Sequence, residues 1–351
     1  MATGGVGVGG GAATGGAGGG PGYHYYDWNK IGEQYKDPIP STEALTPAEI
    51  ALCNNHGIEF LERLGSGGFG TVWKVRCSQL VSTQSQRDYT QEELACKIMS
   101  IAQFSNRFSP HEAVTEMLHE YRIHKSLDHQ YLVRSEDAFH IVDAMTGFPH
   151  VRHLHFMELC SGSLADFLRL RGRMSEIDAK SWLRMMSRAL RYLHKQDIAH
   201  LDIKIENILY KYDQTTKSSI FKLSDLGLAR IATKICGRVG TEIYRAPEQP
   251  TRAKALHNPY INSMPYETKP CDIYSLALAV CETLGGHRTH QQIMGFICGI
   301  KDQQEFKRIQ SGGLQINTME FVHLLQGMLE INPKRRFTIR DVMSHPWYKA
   351  P

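Results

Sequence analysis

Two hydrophobic rhythms divide this chain. From Gly57 the apolar residues follow the short alternation of strands. "IEFLERLG" and "TVWKVRC" flank a glycine turn, and "ELACKIMS" forms a third strand-like run. Between the second and third lies a polar connector, "SQLVSTQSQRDYTQEE". In "AVTEMLHEYRIHKSL" the period changes to that of a helix, with Val114, Met117, Leu118 and Tyr121 on one stripe and Glu120 at its border. Beyond "HLHFMELCSGS" helical spacing takes over. "EIDAKSWLRMMSRALRYLHKQ" carries Trp182, Met186, Ala189, Leu190 and Leu193 on one face, with Ser175 as its cap. "DIYSLALAVCETL" is apolar nearly all round, the mark of a buried helix. Residues 318–330 and 338–344 also read as helices. The pattern predicts a β-rich N-terminal lobe joined to a helical C-terminal lobe near residues 158–163.

The chain before Gly57 obeys neither rhythm. Residues 1–22 are almost wholly Gly, Ala, Val and Thr, too poor in burial to offset chain entropy, and are expected to be disordered. Residues 23–56 read as an extension that closes on a short helix, "TPAEIALCNN". There Thr46 caps, Pro47 takes the first helical position and Glu49 completes a capping box.

Composition narrows the classes. Of 351 residues, 42% are hydrophobic and 22% charged, which suits a globular protein with a sizeable core. A net charge of +4 is too mild for a nucleic-acid binder, so no nucleic-acid partner is expected. No apolar run approaches the ~20 residues of a membrane span. The N-terminus lacks the basic and apolar regions of a secretory signal, and Ala2 excludes myristoylation. The eight cysteines include no CxxC pair, which argues against a cysteine metal cluster and for a reducing compartment, cytoplasmic or nuclear.

One stretch stands out chemically. In "AHLDIKIENILY", residues 199–210, apolar positions alternate with His200, Asp202, Lys204, Glu206 and Asn207. A phosphoryl acceptor needs a carboxylate to take its hydroxyl proton. A nearby lysine can neutralise charge on the transferring group. An asparagine oxygen suits Mg²⁺, a hard cation that prefers oxygen ligands. Eighteen residues after Asn207, "FKLSDLGLAR" runs as a strand into Asp225 and a glycine turn, well placed for a further metal contact. Upstream, Lys97 closes "ELACK" and Glu120 lies on the next helix. Together they suit an ion pair that holds an ammonium over two phosphates.

The glycines Gly65, Gly67 and Gly70 have GxGxxG spacing, but so do Gly5, Gly7 and Gly10 in the tail. Context separates the two. A dinucleotide fold needs a helix to begin at the loop, whereas the β-branched "TVWKV" continues Gly65–Gly70 as a strand. A phosphate-cradling hairpin and an ordinary hairpin both fit this feature alone.

In combination and in order, these motifs resemble the eukaryotic protein kinases, from about Gly57 to Tyr348. "GSGGFGTV" resembles the glycine-rich loop, "LACK" the third-strand lysine and "HEYRIHKSLDHQYLV" the helix with its glutamate. "HLDIKIEN" resembles the catalytic loop, "DLG" the metal-binding turn and "GTEIYRAPE" the end of an activation segment. "CDIYSLALA" resembles the helix whose aspartate braces the catalytic loop, and "NPKRRFT" the last subdomain, with Arg336 expected to pair Glu248.

The resemblance implies an α+β, two-lobed protein kinase fold over 57–348, with an N-lobe of about 57–158 and a C-lobe of about 163–348. It implies ATP and Mg²⁺ as cofactors and proteins as substrates. Asp202 would be the catalytic base, Lys204 would touch the γ-phosphate, and Asn207 and Asp225 would bind Mg²⁺. Lys97 would contact the α- and β-phosphates while Glu120 holds it. Val72, Ala95 and Leu209 would sandwich the adenine under the glycines Gly65, Gly67 and Gly70. Met157 would be the gatekeeper, with backbone groups at Glu158 and Cys160 on the adenine edge.

Lys204 and Thr241 match the serine/threonine type. "ELCSGSLADFL" and "HLDIK" also resemble the Wee/Myt branch, which brings in tyrosine or dual specificity. A kinase-fold scaffold without turnover is the rival from another class. Leu201 stands where an arginine commonly grips an activation-segment phosphate, so weak dependence on phosphorylation of that segment is expected. His124 takes a position on the glutamate helix usually held by an aliphatic residue and is read as a core histidine. Thr241 is read as a structural hydroxyl near Asp202 and Lys204. The long polar stretch between Glu248 and Asp272 is read as a solvated surface insertion.

Overall fold

The structure, a computed structural model, describes residues 45–67, 70–78, 90–105, 110–143, 150–285, 290–302, 304–307 and 316–349. The Gly/Ala-rich tail at 1–22, residues 23–44 of the extension and most of the polar connector lie outside the described residues. The chain has an α+β architecture and divides into two compact units. One comprises the residues up to Leu127 together with Arg134–Leu159, and the other Asp128–Val133 together with Cys160 onward.

The first unit is an antiparallel sheet. Its strands are β1 (Ile58–Gly67), β2 (Gly70–Cys77), β3 (Glu92–Ser100), β4 (Ser135–Asp143) and β5 (His150–Glu158), in the order β1-β2-β3-β5-β4. Helix α1 (Pro47–Asn55) precedes it. The predicted capping box forms, with Thr46 Oγ1 accepting from Glu49 N at 3.2 Å and Thr46 N donating to Glu49 Oε2 at 2.7 Å. Helix α2 (Pro110–His124) carries Val114, Met117 and Leu118 as buried residues, as its stripe predicts.

Side chains alternate across a strand, so β3 sorts its residues to two faces. Leu94, Cys96 and Ile98 enter a core with Cys53, Val75, Leu154 and Phe156. Ala95, Lys97 and Met99 take the opposite face. Cross-strand register puts Val72 beside Lys97 on one side, and His155 beside Lys97 and Met157 beside Ala95 on the other. Strand β3 runs three residues past Lys97, so the lysine does not close it. Ladder pairing from Thr71↔Ile98 through Ser100↔Arg152 carries the strand onward.

The second unit is mainly helical. Helix α3 (Leu164–Arg171) and helix α4 (Glu176–Lys195) precede a small sheet of β6 (Ile208–Asp213) and β7 (Ser218–Leu223). Ser175 caps α4 as expected, and Trp182, Met186, Ala189, Leu190 and Leu193 are fully buried along it. Helix α5 (Thr268–Gly285) is buried from Cys271 through Cys281, as its all-round apolar sequence predicts. Helices α6 (Met319–Met328) and α7 (Ile339–Ser344) follow. The Glu176 carboxylate gathers distant partners. It accepts from Thr318 N at 3.0 Å, Thr318 Oγ1 at 2.5 Å and Trp347 Nε1 at 2.6 Å.

The stretch between Glu248 and Asp272 lies largely exposed to solvent, as expected, but it is not the irregular loop that its polar composition suggested. It forms a helix at Arg252–His257, a 3-10 turn at Pro259–Ser263 and a strand at Tyr266–Glu267. Thr251 caps the helix, Lys254 Nζ bonds the carbonyl of Pro247, and the strand pairs with Lys234–Ile235. Local hydrogen bonding outweighs the stretch's polar composition, though Leu256 and Tyr260 stay exposed. Among the described residues no helix is long and apolar enough to cross a membrane.

Candidate active site

In the sheet unit the glycine-rich stretch is a hairpin, with Gly67 opposite Gly70 and Gly65 opposite Val72. At Gly70 glycine is required. Its φ is +143°, and a Cβ there would collide with the carbonyl oxygen of Ile98. Next to it, Lys97 Nζ reaches Glu120 Oε2 at 2.5 Å with both side chains buried. A buried ion pair is held where its geometry repays the cost of desolvation. Val72, Ala95 and Met157 share the lysine's face, and Ala95 and Met157 are each 8% exposed. Glu158 sits at the end of β5. Its amide donates to Arg134 O at 3.0 Å and its Oε1 accepts from Arg134 N at 2.8 Å.

The same face holds an unusual set of histidines. His153 and His155 are fully buried, and His124 is 1% exposed. Burial, followed by the neighbouring histidines and Lys97, holds the imidazoles of His153 and His155 well below the usual range, so both are neutral at pH 7. His155 Nε2 bonds Ser135 Oγ at 2.8 Å, and His153 Nδ1 bonds His140 Nε2 at 2.8 Å. The expectation for His124 recognised its burial but not this company. His155 and Ser135 come from other strands, and no spacing along the sequence could have joined them to it.

In the helical unit the "HLDIKIEN" stretch folds around two carboxylates. Asp272, fully buried on α5, accepts from Leu201 N at 2.8 Å, His200 N at 2.9 Å and His194 Nε2 at 2.8 Å. This is the bracing that the family resemblance implied for it, with His194 as a further partner. His200 bridges onward. Its Nε2 bonds Ser224 O at 2.8 Å and its Nδ1 accepts from Asp202 N at 3.3 Å, which sets the tautomer with the proton on Nε2.

Asp202 is engaged at both oxygens. Oδ1 accepts from Thr241 N at 2.8 Å and Thr241 Oγ1 at 2.7 Å. Oδ2 accepts from Asn207 Nδ2 at 3.0 Å and meets Lys204 Nζ at 3.0 Å. Lys204 Nζ also donates to Thr241 Oγ1 at 3.0 Å, so Thr241 is the structural hydroxyl that was expected. Gly240, at φ +84°, comes so close that a Cβ would strike the carbonyl oxygen of Leu201.

Asn207 donates from Nδ2 to Asp202 O at 2.9 Å as well as to Asp202 Oδ2. That use of the amide hydrogens turns its side-chain oxygen into the group offered to a ligand. Ser224 ties the next aspartate to this loop, its N and Oγ each donating to Asn207 O at 2.9 Å. Asp225 follows in the left-handed region, φ 60°, and opens the turn Leu226–Leu228. An amide oxygen and a carboxylate are both hard oxygen donors and fit Mg²⁺. Leu209 lies on β6 opposite Ser163 of the two-residue strand Gly162–Ser163, and Cys160 lies just before that strand. Further on, Arg336 clamps Glu248 with two bonds, at 2.6 and 2.8 Å, as predicted.

The sequence-predicted residues therefore form two clusters, each inside one unit. Gly65, Gly67, Gly70, Val72, Ala95, Lys97, Glu120, Met157 and Glu158 belong to the sheet unit. Cys160, Asp202, Lys204, Asn207, Leu209 and Asp225 belong to the helical unit.

Comparison with known proteins gives a match to the protein kinase domain family over residues 58–348. The chain is 27% identical over 298 residues to NUAK family SNF1-like kinase 2 of Rattus norvegicus, covering 83% of this chain and 40% of that protein. It is 27% identical over 292 residues to an Aurora kinase of Yarrowia lipolytica, covering 82% and 67%. It is also 27% identical over 295 residues to the meiosis-specific serine/threonine-protein kinase mek1 of Schizosaccharomyces pombe, covering 81% and 58%. The chain thus spans about 40% to two thirds of the length of these relatives. They lend the Wee/Myt resemblance no support.

Proposed function

Because this chain belongs to the protein kinase domain family, we propose that it transfers the γ-phosphoryl group of ATP to serine and threonine hydroxyls of protein substrates. Protein kinases use ATP with Mg²⁺, and the metal supplies charge neutralisation on the phosphates when bound. Asn207 and Asp225 are the residues that would hold it.

Asp202 is the group that receives the proton of the substrate hydroxyl. Lys204, shared between Asp202 and Thr241, is placed to offset charge on the transferring group. Lys97, steadied by Glu120, serves the α- and β-phosphates. The glycines Gly65, Gly67 and Gly70 let backbone amides approach the phosphates. Val72, Ala95 and Leu209 offer apolar contact to the adenine, with Met157 behind it. The Glu158 amide is spent on Arg134, so its carbonyl oxygen is the group that would meet the adenine edge, together with the backbone at Cys160. All eight cysteines are free thiols, which supports a cytoplasmic or nuclear home.

The observation that carries this reading is the doubly engaged Asp202 carboxylate. A base pinned by Thr241 and Asn207 keeps its orientation without a bound substrate. The test is radiolabel transfer from ATP to a mixed peptide library. Label on serine and threonine is expected, and Asp202→Asn should lower the rate by about 10²–10⁴. Equal label with the variant would remove Asp202 as base, and label confined to tyrosine would overturn the substrate class.

A further inference from the structure

Glu120, His124 and His155 each present one ligand atom, and the three atoms lie within 4.8 Å of one another in a fully buried group. Two of the residues are four apart on α2, hence on one helical face, and the third comes from β5. The two imidazole rings meet nearly edge-on, with centroids 5.2 Å apart. His155 is prepared as a ligand. Its Nε2 is bound to Ser135 Oγ, and its Nδ1 has no hydrogen-bond partner among the described residues. A hydrogen bond at the far nitrogen is the usual means of fixing the ring and tautomer of a metal-binding histidine.

We propose that Glu120, His124 and His155 form a binding site for a borderline divalent cation, best fitted by Zn²⁺, that competes with Lys97 for the Glu120 carboxylate. Two imidazoles and one carboxylate are a zinc donor set, with a fourth position left for water. Zinc bonds of about 2.0–2.1 Å to these atoms require each to move inward by about 1 Å or less, within the swing of a side chain. The ammonium of Lys97 sits on Glu120 Oε2 at 2.5 Å, so a dication on the same carboxylate repels the lysine and draws off the charge it pairs with. Metal capture therefore weakens the ion pair. Binding stands on the geometry alone, while its effect on turnover rests on the role proposed above for Lys97 and Glu120.

The test uses the full chain stripped with chelator and titrated with Zn²⁺ alone, without nucleotide, by calorimetry and by metal content after gel filtration. Co²⁺ serves as a visible-absorption probe of the ligand set. One equivalent of tightly bound metal and a tetrahedral cobalt spectrum are expected. His124→Leu, which restores an aliphatic residue, should lose that equivalent and keep metal-free turnover. Ser135→Ala should weaken binding by about 10–100-fold, which gives a second reading if His124→Leu folds poorly. In the wild type, Zn²⁺ should inhibit peptide phosphorylation, and both variants should resist it. Absence of a stoichiometric site, or equal zinc binding in the wild type and both variants, overturns the proposal. Stoichiometric binding with no change in turnover removes the competition for Glu120 and points the failure at the role given to the ion pair.

Discussion

Lys97 meets Glu120 as one long side chain meeting another, across elements 23 residues apart. Asp202 and Asp272 are built differently. Their oxygens accept from the backbone amides of Thr241, His200 and Leu201 as well as from side chains. A lysine stem has several rotatable bonds and can release its partner without disturbing the strand that bears it. An amide cannot move without moving the chain. The helical unit therefore holds the geometry around Asp202 in its backbone, whereas the sheet unit holds Lys97 by a contact between two side chains. Regulation is expected at Glu120 and structural collapse at Asp272.

The sharpest way to break this comparison is Asp272→Ala. It strands three buried donors at once, which costs roughly 3–5 kcal/mol by analogy with breaking a buried charged pair. Thermal melting should show a large fall in midpoint and turnover should vanish with it. A variant that melts like the wild type would mean that the loop does not depend on this carboxylate.

Glu120→Gln is the counterpart in the sheet unit. It keeps the shape and removes the charge from a bond worth about 1.5–3 kcal/mol. A ten- to hundredfold loss in kcat/KM is expected, with a melting midpoint close to that of the wild type. A large loss of stability with full activity would invert the contrast drawn above.

The sheet unit should also respond to acid. Burial pushes the His140 imidazole down from 6.5 to about 4. As pH falls, the unfolded chain takes up this proton near 6.5 while the folded chain holds out to about 4. Stability from this residue is therefore intact above 6.5 and is lost progressively between the two values. His140→Leu should shallow the decline in melting midpoint between pH 7 and pH 5. Parallel declines in the two proteins would exclude His140 as a source.

The smallest effect is expected from phosphatase treatment. Leu201 is 4% exposed and carries no charge to grip a phosphate, so turnover should change by less than about twofold. Loss of activity after dephosphorylation would show that another cation has taken over that role.

The contrast also explains what the sequence made legible. Asp202, Lys204, Asn207 and Thr241 could be singled out because their chemistry is packed into short motifs, and the helical stripe of α4 foretold the burial of Trp182, Met186, Ala189, Leu190 and Leu193 but not that of Leu183, Ser187 or His194. The pairing of Arg336 with Glu248 came through family resemblance. The helix and strand within 249–270 were not foreseen, because their order comes from a cap at Thr251 and a pairing with Lys234–Ile235 rather than from apolar periodicity. The grouping of His124 with His155 was hidden for a different reason. Strand register and helix packing bring it about, and neither leaves a local signature.

The Glu176 carboxylate has one more consequence. It opens helix α4 yet reaches Trp347, 171 residues later. During synthesis the helix can coil as soon as it emerges, but its first turn must wait for the last turns of this unit before its acid is satisfied. Meanwhile the apolar stripe of Trp182, Met186 and Leu190 awaits partners that have yet to be made. Such late closure invites chaperone capture of the nascent chain, and ribosome-bound intermediates halted before Trp347 should be its preferred clients.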